Sequence, residues 1–320
     1  MKSAEYKTVL ISGAGELGSR YLQSMVSCAI PLTVHLHSDN LRSLELCQQR
    51  WGDVGGDASA HRLVMCQDLD LLPDRLDLAI VSSTAKSRPL LIDSIAKRAK
   101  VGSWLIEKVL AQSVLDIEKM LVNVGTEARS WVNYYMQADV WYADIKKHLL
   151  PGTPKHMKVR GGDWGLACNS LHFIHLHAWF SESRLISLNT EGLSGEVHES
   201  KRPGNWEFYG ELSVEFADGG RLDLRAELGP VGYSLSLQDG PYTWQIDECI
   251  GIARRSDGFE IKGRVPYQSE RKLVEEILTG GDCRLPTLAA VAATDQLFVG
   301  AMLNHWRQHK DPAAVLVPIT

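Results

Sequence analysis

Three glycines near the N-terminus, Gly13, Gly15 and Gly18, have the spacing of a dinucleotide-binding loop. The apolar run at 9–11 predicts a buried strand before them, and apolar residues at helical spacing over 17–25 predict a helix after them. In this context the glycines permit a tight turn, close approach of the backbone to a pyrophosphate, and packing of the helix on the strand. The helix N-terminus adds unpaired amides and a partial positive charge. We therefore expect cofactor contacts at Gly13, Gly15, Glu16, Leu17 and Gly18.

The end of the second predicted strand, 32–36, should contact the ribose of that dinucleotide. Asp39 would bind the ribose hydroxyls of NAD if the strand runs long, whereas Ser38 with Arg42 would hold the 2′-phosphate of NADP. A solvated position of Arg42 on the next helix is the ordinary alternative. The cofactor is thus NAD or NADP, and Ser38 with Arg42 favours NADP slightly.

Polar residues follow two further apolar runs that read as buried strands. Ser82, Ser83 and Thr84 follow the run at 76–81, and Glu107 with Lys108 follows the run at 103–106. Ligands of open α/β sheets bind at the carboxyl ends of parallel strands. We therefore expect these residues at one sheet edge, with cofactor contacts at Ser82, Ser83, Thr84 and Glu107.

Two domains are expected from the 320 residues and from a change of pattern along the chain. Strands and helices alternate through 1–128, which predicts an α/β Rossmann domain with a doubly wound parallel sheet. Over 129–320 we predict an α+β domain. Its helix at 169–180 precedes a large, mainly antiparallel open sheet, because Asp-Gly pairs separate alternating strand-like runs within 185–263.

The composition limits the classes of partner and compartment. The 34 basic and 39 acidic residues leave a net charge of −5, which gives no reason to expect nucleic acid or an anionic membrane as a partner. No apolar run approaches the ~20 residues that span a bilayer, and the first strand begins too early for a signal peptide. Six scattered cysteines without a C-x-x-C pair predict reduced thiols in a cytoplasmic protein.

Several motifs together resemble the glucose–fructose oxidoreductase and inositol dehydrogenase (Gfo/Idh/MocA) family. They are the glycine motif, the Glu107-Lys108 pair at a strand end, the segment 133–135, and Gly161-Gly162 before a helix that carries His172. The resemblance implies oxidation of a sugar or polyol hydroxyl by NAD(P), or the reverse reduction. Lys108 would stabilise the reacting oxygen, and His172 would act as general acid and base. It also implies that the domain over 129–320 binds the substrate and forms a homodimer or homotetramer through the C-terminal sheet.

The substrate contacts are expected around these two residues. Six residues are expected to contact the substrate, either because they follow these motifs or because the family resemblance implies it. They are Asn133, Tyr135, Asp163, Trp164, Asn169 and His175. The helix departs from the family pattern D-x-x-x-H-x-x-D, since Cys168 and His175 replace the acids. Val109 also replaces the usual proline. The sequences of the glycine segment and the helix segment resemble those of a subgroup linked to surface polysaccharides and sugar acids. This resemblance implies that the substrate is an amino sugar, a nonulosonate-type sugar or a nucleotide sugar.

Other interpretations remain open. A sensor could keep the dinucleotide fold without chemistry, or a retained cofactor could serve a redox-neutral epimerase-type reaction. No metal is expected, because His177 falls on another helical face than His172 and His175 and no acid cluster joins them. Aromatic residues of the predicted sheet could cover a dimer interface or belong to an ordinary core: Trp206, Phe208, Tyr209, Tyr233, Tyr242 and Trp244.

Overall fold

The computed structural model describes residues 6–263, 269–280 and 283–320. The first elements are β1 (Lys7–Ser12), α1 (Glu16–Met25), β2 (Leu32–His37), α2 (Leu41–Asp53), β3 (Arg62–Cys66), β4 (Arg75–Leu76), β5 (Leu78–Val81), α3 (Arg88–Arg98), β6 (Lys100–Val101), β7 (Ser103–Ile106), α4 (Val114–Val124) and β8 (Arg129–Val132). The others are α5 (Val140–Lys147), β9 (Lys155–Gly161), α6 (Leu166–Ser181), β10 (Leu185–Asn189), β11 (Leu193–Glu199), β12 (Trp206–Phe216), β13 (Arg221–Ala226), β14 (Ser234–Asp239), β15 (Tyr242–Asp247), β16 (Ile252–Arg255), β17 (Glu260–Lys262), α7 (Ser269–Leu278) and α8 (Leu288–His309).

Two compact units divide the chain. The first unit contains Met1–Ala111, Leu115–Asn133 and Tyr267–Ala290, and the second contains Gln112–Val114, Tyr134–Pro266 and Val291–Thr320. The sequence analysis expects a single boundary between residues 128 and 129. The first unit extends past that boundary for two reasons. Strand β8 is hydrogen-bonded to β7 in the first sheet, and α7 packs on α1, where the Glu275 carboxylate accepts from the Ala29 amide at 2.7 Å.

The first unit is built on a six-stranded sheet in the order β3-β2-β1-β5-β7-β8, with every pair parallel. Strands β5 and β7 are buried throughout and β1 over its last four residues, because helices cover such a sheet on both faces. This confirms the predicted Rossmann architecture. A short parallel pair, β4 with β6, extends it.

The register of this sheet brings four strand ends into one row. Ser12 pairs with Val81, Val81 with Ile106, and Ile106 with Val132. The residue after each strand then continues the ladder, as when the Glu107 amide donates to the carbonyl of Val81 at 3.1 Å. The polar segments that follow β1, β5, β7 and β8 therefore share one edge, as the sequence predicts.

The second unit is built on a nine-stranded mixed sheet. Its order is β10-β12-β13-β9-β14-β15-β16-β17, with β11 added beside β12. Only the β13–β9 pair is parallel, so the predicted mainly antiparallel sheet is confirmed. Alternate residues face α6, which packs on β9, β12 and β13 and is apolar nearly all round.

The aromatic residues of this sheet do not form one exposed surface. Phe208 and Trp244 have no exposed area and belong to the core, which is one of the two alternatives that the sequence leaves open for them. A period of two places every second residue on the same face, and these two fall on the covered face. The outer face of the central strands carries charged residues instead, namely His156, Lys158, Arg160, Glu215, Arg221 and Arg225.

Some element boundaries also differ from the sequence prediction. Strand β8 ends at Val132, before the segment 133–135, and Tyr135–Gln137 forms a 3₁₀ turn. Helix α6 begins at Leu166, three residues before its predicted start at Asn169, because Gly165 takes the left-handed conformation there with φ of 78°. Among the described residues, no helix is both long and apolar enough to cross a membrane.

Candidate active site

The turn from β1 to α1, residues 13–18 and here called the glycine loop, is fixed by steric contact. A side chain on Gly13, which has φ of 115°, would lie 2.6 Å from the Ser83 nitrogen, and one on Gly18 would lie 1.9 Å from the Gly13 oxygen. A side chain on Gly15 would meet nothing within 4 Å. Two glycines are thus required by the protein's own packing, while the third leaves open space beside the backbone.

The first turn of α1 presents its amides beside that space. Among the described residues, no side chain caps these amides at Gly15. The Glu16 carboxylate turns away to Arg50, at 2.9 Å. Amides at a helix N-terminus bind anions, so the glycine loop fits the pyrophosphate of a dinucleotide.

The adenosine end of such a dinucleotide would meet the end of β2. There the Ser12 hydroxyl and His37 Nδ1 are 3.1 Å apart, and burial lowers the pKa of His37. The Ser38 hydroxyl accepts from the Asn40 amide at 3.2 Å, whereas Arg42 is exposed on the first turn of α2. The choice between NAD and NADP stays a prediction.

Ser82, Ser83 and Thr84 connect the glycine loop to α3. The Ser82 hydroxyl donates to the carbonyl of Gly13 at 2.9 Å, and the Ser83 backbone is the surface against which Gly13 packs. Thr84 accepts the Ser87 amide through its carbonyl and begins the turn into α3. These contacts support the loop, and direct contact with a cofactor stays a prediction for all three residues.

Arg88, which the sequence analysis did not identify, holds the backbone beside Lys108. Its buried guanidinium donates to the carbonyl oxygens of Val109, Leu110 and Ser83. One side chain therefore ties the segment after β5 to the segment after β7. Lys108 itself is half-buried, and the peptide bond from Lys108 to Val109 is cis.

Glu107 lies at the centre of a buried polar group in the first unit. The Tyr21 hydroxyl donates to its Oε1 at 2.7 Å and the Asn133 amide donates to the same oxygen at 2.8 Å. Burial raises the pKa of Glu107, and the two hydrogen bonds oppose that shift. The Asn133 amide is therefore engaged on Glu107, and its role as a substrate contact stays a prediction.

In the second unit, the N-terminus of α6 gathers three predicted substrate residues. The Asn169 amide donates to the carbonyl of Trp164 at 2.7 Å, and the Tyr209 hydroxyl donates to Asp163 at 2.7 Å. Burial and Asp163 raise the pKa of Tyr209 to about 12. Glu207 on β12, which the sequence analysis missed, accepts the Ala167 amide at 2.6 Å in the first turn of α6.

His172 lies one turn further along α6, among aromatic rings. Its ring meets the ring of Tyr135 edge-on at 4.9 Å between centroids and that of Tyr134 at 5.8 Å. The imidazole is 8% exposed, so it is enclosed without being sealed from solvent. An imidazole held in this way fits the predicted general acid and base.

His175 is bonded to a buried acid on α8. Its Nε2 lies 2.7 Å from Oδ1 of Asp295, and the Tyr134 hydroxyl donates to Oδ2 at 2.6 Å. The His175 and Tyr134 rings lie 4.0 Å apart, and the Gln137 amide donates to the His175 carbonyl at 3.1 Å. We call Tyr134, Tyr135, His172, His175 and Asp295 the histidine cluster.

Asp295 was not identified from the sequence, although one signal was present. It is the only charged residue in 288–303, a run that is apolar apart from Thr294, Asp295 and Gln296. A lone acid on a buried helix needs a partner, and that partner lies 120 positions away in the chain. The role of His175 as a substrate contact stays a prediction, with its Nε2 already engaged on Asp295.

His177 differs from the other two α6 histidines. It donates from Nε2 to the carbonyl of Lys155 at 3.0 Å and stacks on Phe216 at 3.9 Å. Burial lowers its pKa to about 4, so it is neutral at ordinary pH. These contacts make His177 a core residue of the second unit.

Known structures share the whole fold. UDP-N-acetylglucosamine 3-dehydrogenase GnnA from Acidithiobacillus ferrooxidans gives a TM-score of 0.69 at 8% identity over 94% of this chain and 96% of that chain. Myo-inositol dehydrogenase from Lactobacillus casei, in complex with NAD(H) and myo-inositol, gives 0.65 at 11% identity over 96% of each chain. Levoglucosan dehydrogenase in complex with NADH gives 0.70 at 11% identity over 94% and 98%.

These matches establish the fold. The resemblance to the Gfo/Idh/MocA family is confirmed at that level, because the matching structures are oxidoreductases of this type. No protein-family model matches the sequence, and no curated protein matches it either.

Proposed function

We propose that this chain, which has the fold of the glucose–fructose oxidoreductase and inositol dehydrogenase family, is an NAD(P)-dependent oxidoreductase of a carbohydrate hydroxyl or ketone. The observation that carries the proposal is the glycine loop. Gly13 and Gly18 tolerate no side chain, Gly15 faces open space, and the uncapped amides of α1 follow directly. Structures of the same fold hold NADH or NAD(H), and their substrates include a polyol and a UDP-sugar, which supports this reading.

The cofactor contacts follow the shared edge of the first sheet. The glycine loop holds the pyrophosphate, Ser38 and Arg42 hold a 2′-phosphate, and Glu107 lies two strands away from β1 along the edge. Arg42 is a cation at the position where NADP needs one, so we propose NADP with NAD as the alternative.

Catalysis is assigned to Lys108 and His172. When bound, the nicotinamide would supply the acceptor or donor of the hydride. His172 removes or returns the hydroxyl proton, because imidazole titrates near neutral pH. The Lys108 ammonium stabilises the negative charge that develops on the reacting oxygen.

The finer assignments concern substrate and assembly. We propose an amino sugar, a nonulosonate-type sugar or a nucleotide sugar as substrate, with its ring contacted by residues at the α6 N-terminus. We also propose a cytoplasmic homodimer or homotetramer. It would form through the charged outer face of the nine-stranded sheet in the second unit. Arg225 bridges Glu227 and Glu211 on that face, so its charges are arranged in opposite-sign pairs that a second copy could extend.

Turnover with defined sugars tests the proposal. The purified chain is incubated with NADP⁺ or NAD⁺ and a panel of polyols, aldoses, amino sugars and nucleotide sugars, and reduced nicotinamide is followed by its absorbance. We expect at least one sugar to give turnover that depends on the cofactor. Nucleotide binding without turnover across the panel, in both directions, would contradict the assignment.

A sensor without chemistry is the second candidate. The observation that favours it is the replacement of both family acids on α6 by Cys168 and His175. A sensor would bind nucleotide and sugar tightly and leave both unchanged. A redox-neutral enzyme would instead retain its cofactor through purification and convert the sugar with no net change in redox state.

A further inference from the structure

We propose that Asp295 is a positioning residue for His172, acting through Tyr134 and His175. The inference rests on the proposed function, since it concerns the residue assigned there as general acid and base. Asp295 was not identified from the sequence, and the acids that the family pattern places near His172 would lie on α6 itself.

Each oxygen of the Asp295 carboxylate has a hydrogen-bond partner. Oδ2 accepts the Tyr134 hydroxyl at 2.6 Å and Oδ1 accepts Nε2 of His175 at 2.7 Å. Asp295 has no exposed area, and His175 and Tyr134 are 5% and 1% exposed. Water therefore does not compete for these hydrogen bonds, which makes their geometry strict.

The chemistry of the carboxylate sets the proton position on His175. A carboxylate anion only accepts hydrogen bonds, so when Asp295 is ionised the proton between the two groups lies on Nε2 of His175. The Tyr134 hydroxyl must likewise point its proton at Asp295. One acid thus fixes a tautomer on α6 and the orientation of a phenol on the segment before the 3₁₀ turn.

The effect reaches His172 through the Tyr134 ring. That ring packs on His175 at 4.0 Å and receives the edge of His172 at 5.8 Å. Tyr135, the next residue, meets the His172 ring edge-on at 4.9 Å between centroids. These two aromatic neighbours of His172 lie on a segment that Asp295 ties to α8.

This arrangement explains how the chain manages without its α6 acids. In the resembling family a carboxylate occupies the position of His175, one turn after the histidine of the motif. Here Asp295 on α8 supplies a carboxylate from outside the helix, and that carboxylate is bonded to His175. His175 on α6 and the buried Asp295 on α8 therefore act together.

The substitution Asp295→Asn tests this because it preserves volume and removes the charge. An amide offers one acceptor and one donor group, so it cannot accept from both Tyr134 and His175. We expect the His175 tautomer or the Tyr134 hydroxyl to reverse, and the ring signals of His172 to shift or broaden. Ring nitrogens labelled with ¹⁵N, assigned with His172→Gln and His175→Gln variants, report both changes by NMR.

The kinetic expectation is a loss in kcat and not in KM. We expect Asp295→Asn to lower kcat by about 10-fold or more, since a mispositioned general base loses part of its rate advantage, with KM changed by less than about 2-fold. The matched control is His177→Gln, a buried histidine of the same helix that bonds to a backbone carbonyl. It should leave kcat per folded molecule unchanged.

The outcomes separate the two proposals. Wild-type protein without turnover defeats the proposed function, and with it the kinetic role of Asp295. Unchanged His175 and His172 signals in folded Asp295→Asn, or unchanged kcat in an active enzyme, defeat the positioning role alone. If Asp295→Asn does not fold, Tyr134→Phe serves as the second variant, because it removes one of the two hydrogen bonds. In this variant the His172 ring signals must still shift or broaden, and unchanged signals defeat the positioning role.

Discussion

The glycine loop and the histidine cluster are fixed by different forces. In the loop, backbone meets backbone, and a single Cβ on Gly18 would overlap the Gly13 carbonyl at 1.9 Å. In the cluster, polar side chains from the 3₁₀ segment, α6 and α8 meet around the Asp295 carboxylate. The loop should therefore fail when volume is added. The cluster should fail when volume is kept and hydrogen-bonding character is changed.

Removing the two proposed catalytic groups should have the largest effect. We expect Lys108→Ala and His172→Ala each to lower kcat by about 10²- to 10⁴-fold while nucleotide still binds, because neither residue belongs to the glycine loop. Steady-state kinetics and nucleotide titration measure the two effects separately. Normal turnover of both variants on the true substrate would show that the roles are assigned wrongly.

The glycine loop offers a matched pair of substitutions. Gly18→Ala should destabilise the protein without cofactor by about 1–3 kcal/mol, because the backbone must move to admit the methyl group. Gly15→Ala should change that stability by less than about 1 kcal/mol and weaken nucleotide binding instead, since its Cβ points into open space. Denaturant unfolding and nucleotide titration measure the pair. Equal stability of both variants would contradict the steric account.

Arg88 is intermediate between the glycine loop and the histidine cluster, because its side chain is hydrogen-bonded to backbone carbonyls. Arg88→Ala leaves up to three carbonyl oxygens without their donor and should destabilise by about 1–3 kcal/mol. It should also lower kcat, since the backbone next to Lys108 loses its anchor. Lys97→Ala on the same helix removes only an exposed pair with Asp93 and should cost less than about 0.5 kcal/mol. Similar losses in the two variants would remove Arg88 from the account.

His177 gives the smallest effect on turnover, and it gives stability a pH dependence with a known sign. Its pKa is lowered from 6.5 to about 4 in the folded protein, so the unfolded chain binds the proton first as pH falls. Its contribution to stability is complete above pH 6.5 and decreases as pH falls towards about 4, by at most ~1.4 kcal/mol per pH unit. Unfolding curves of wild type and His177→Gln should converge at low pH. A constant difference between them would contradict this account.

The sequence predicts the loop well and the cluster poorly, for a physical reason. Gly13 to Gly18 act within one turn, and Lys108 follows a strand whose apolar run is continuous, so spacing alone places them. Asp295 meets a partner 120 positions away, and Glu207 meets α6 from a strand 40 positions further on. Pairings of this kind depend on which strand and helix become neighbours, and the local pattern does not contain that information.

The same limit applies to the aromatic residues of the second sheet. The alternation of β12 correctly predicts that its residues face two ways. It does not say which face α6 will cover, and Phe208 lies on that covered face with no exposed area. The proposed dimer interface therefore rests on the charged outer face, where Arg225 pairs with Glu227 and Glu211.

The most direct test of the central claim is a titration of the wild-type chain with NADPH and NADH, repeated on Gly15→Val. We predict saturable binding of one dinucleotide per chain, stronger for NADPH, and its loss in Gly15→Val while the variant keeps wild-type stability. Absence of binding by wild type at millimolar nucleotide, or undiminished binding by a folded Gly15→Val, would contradict the account.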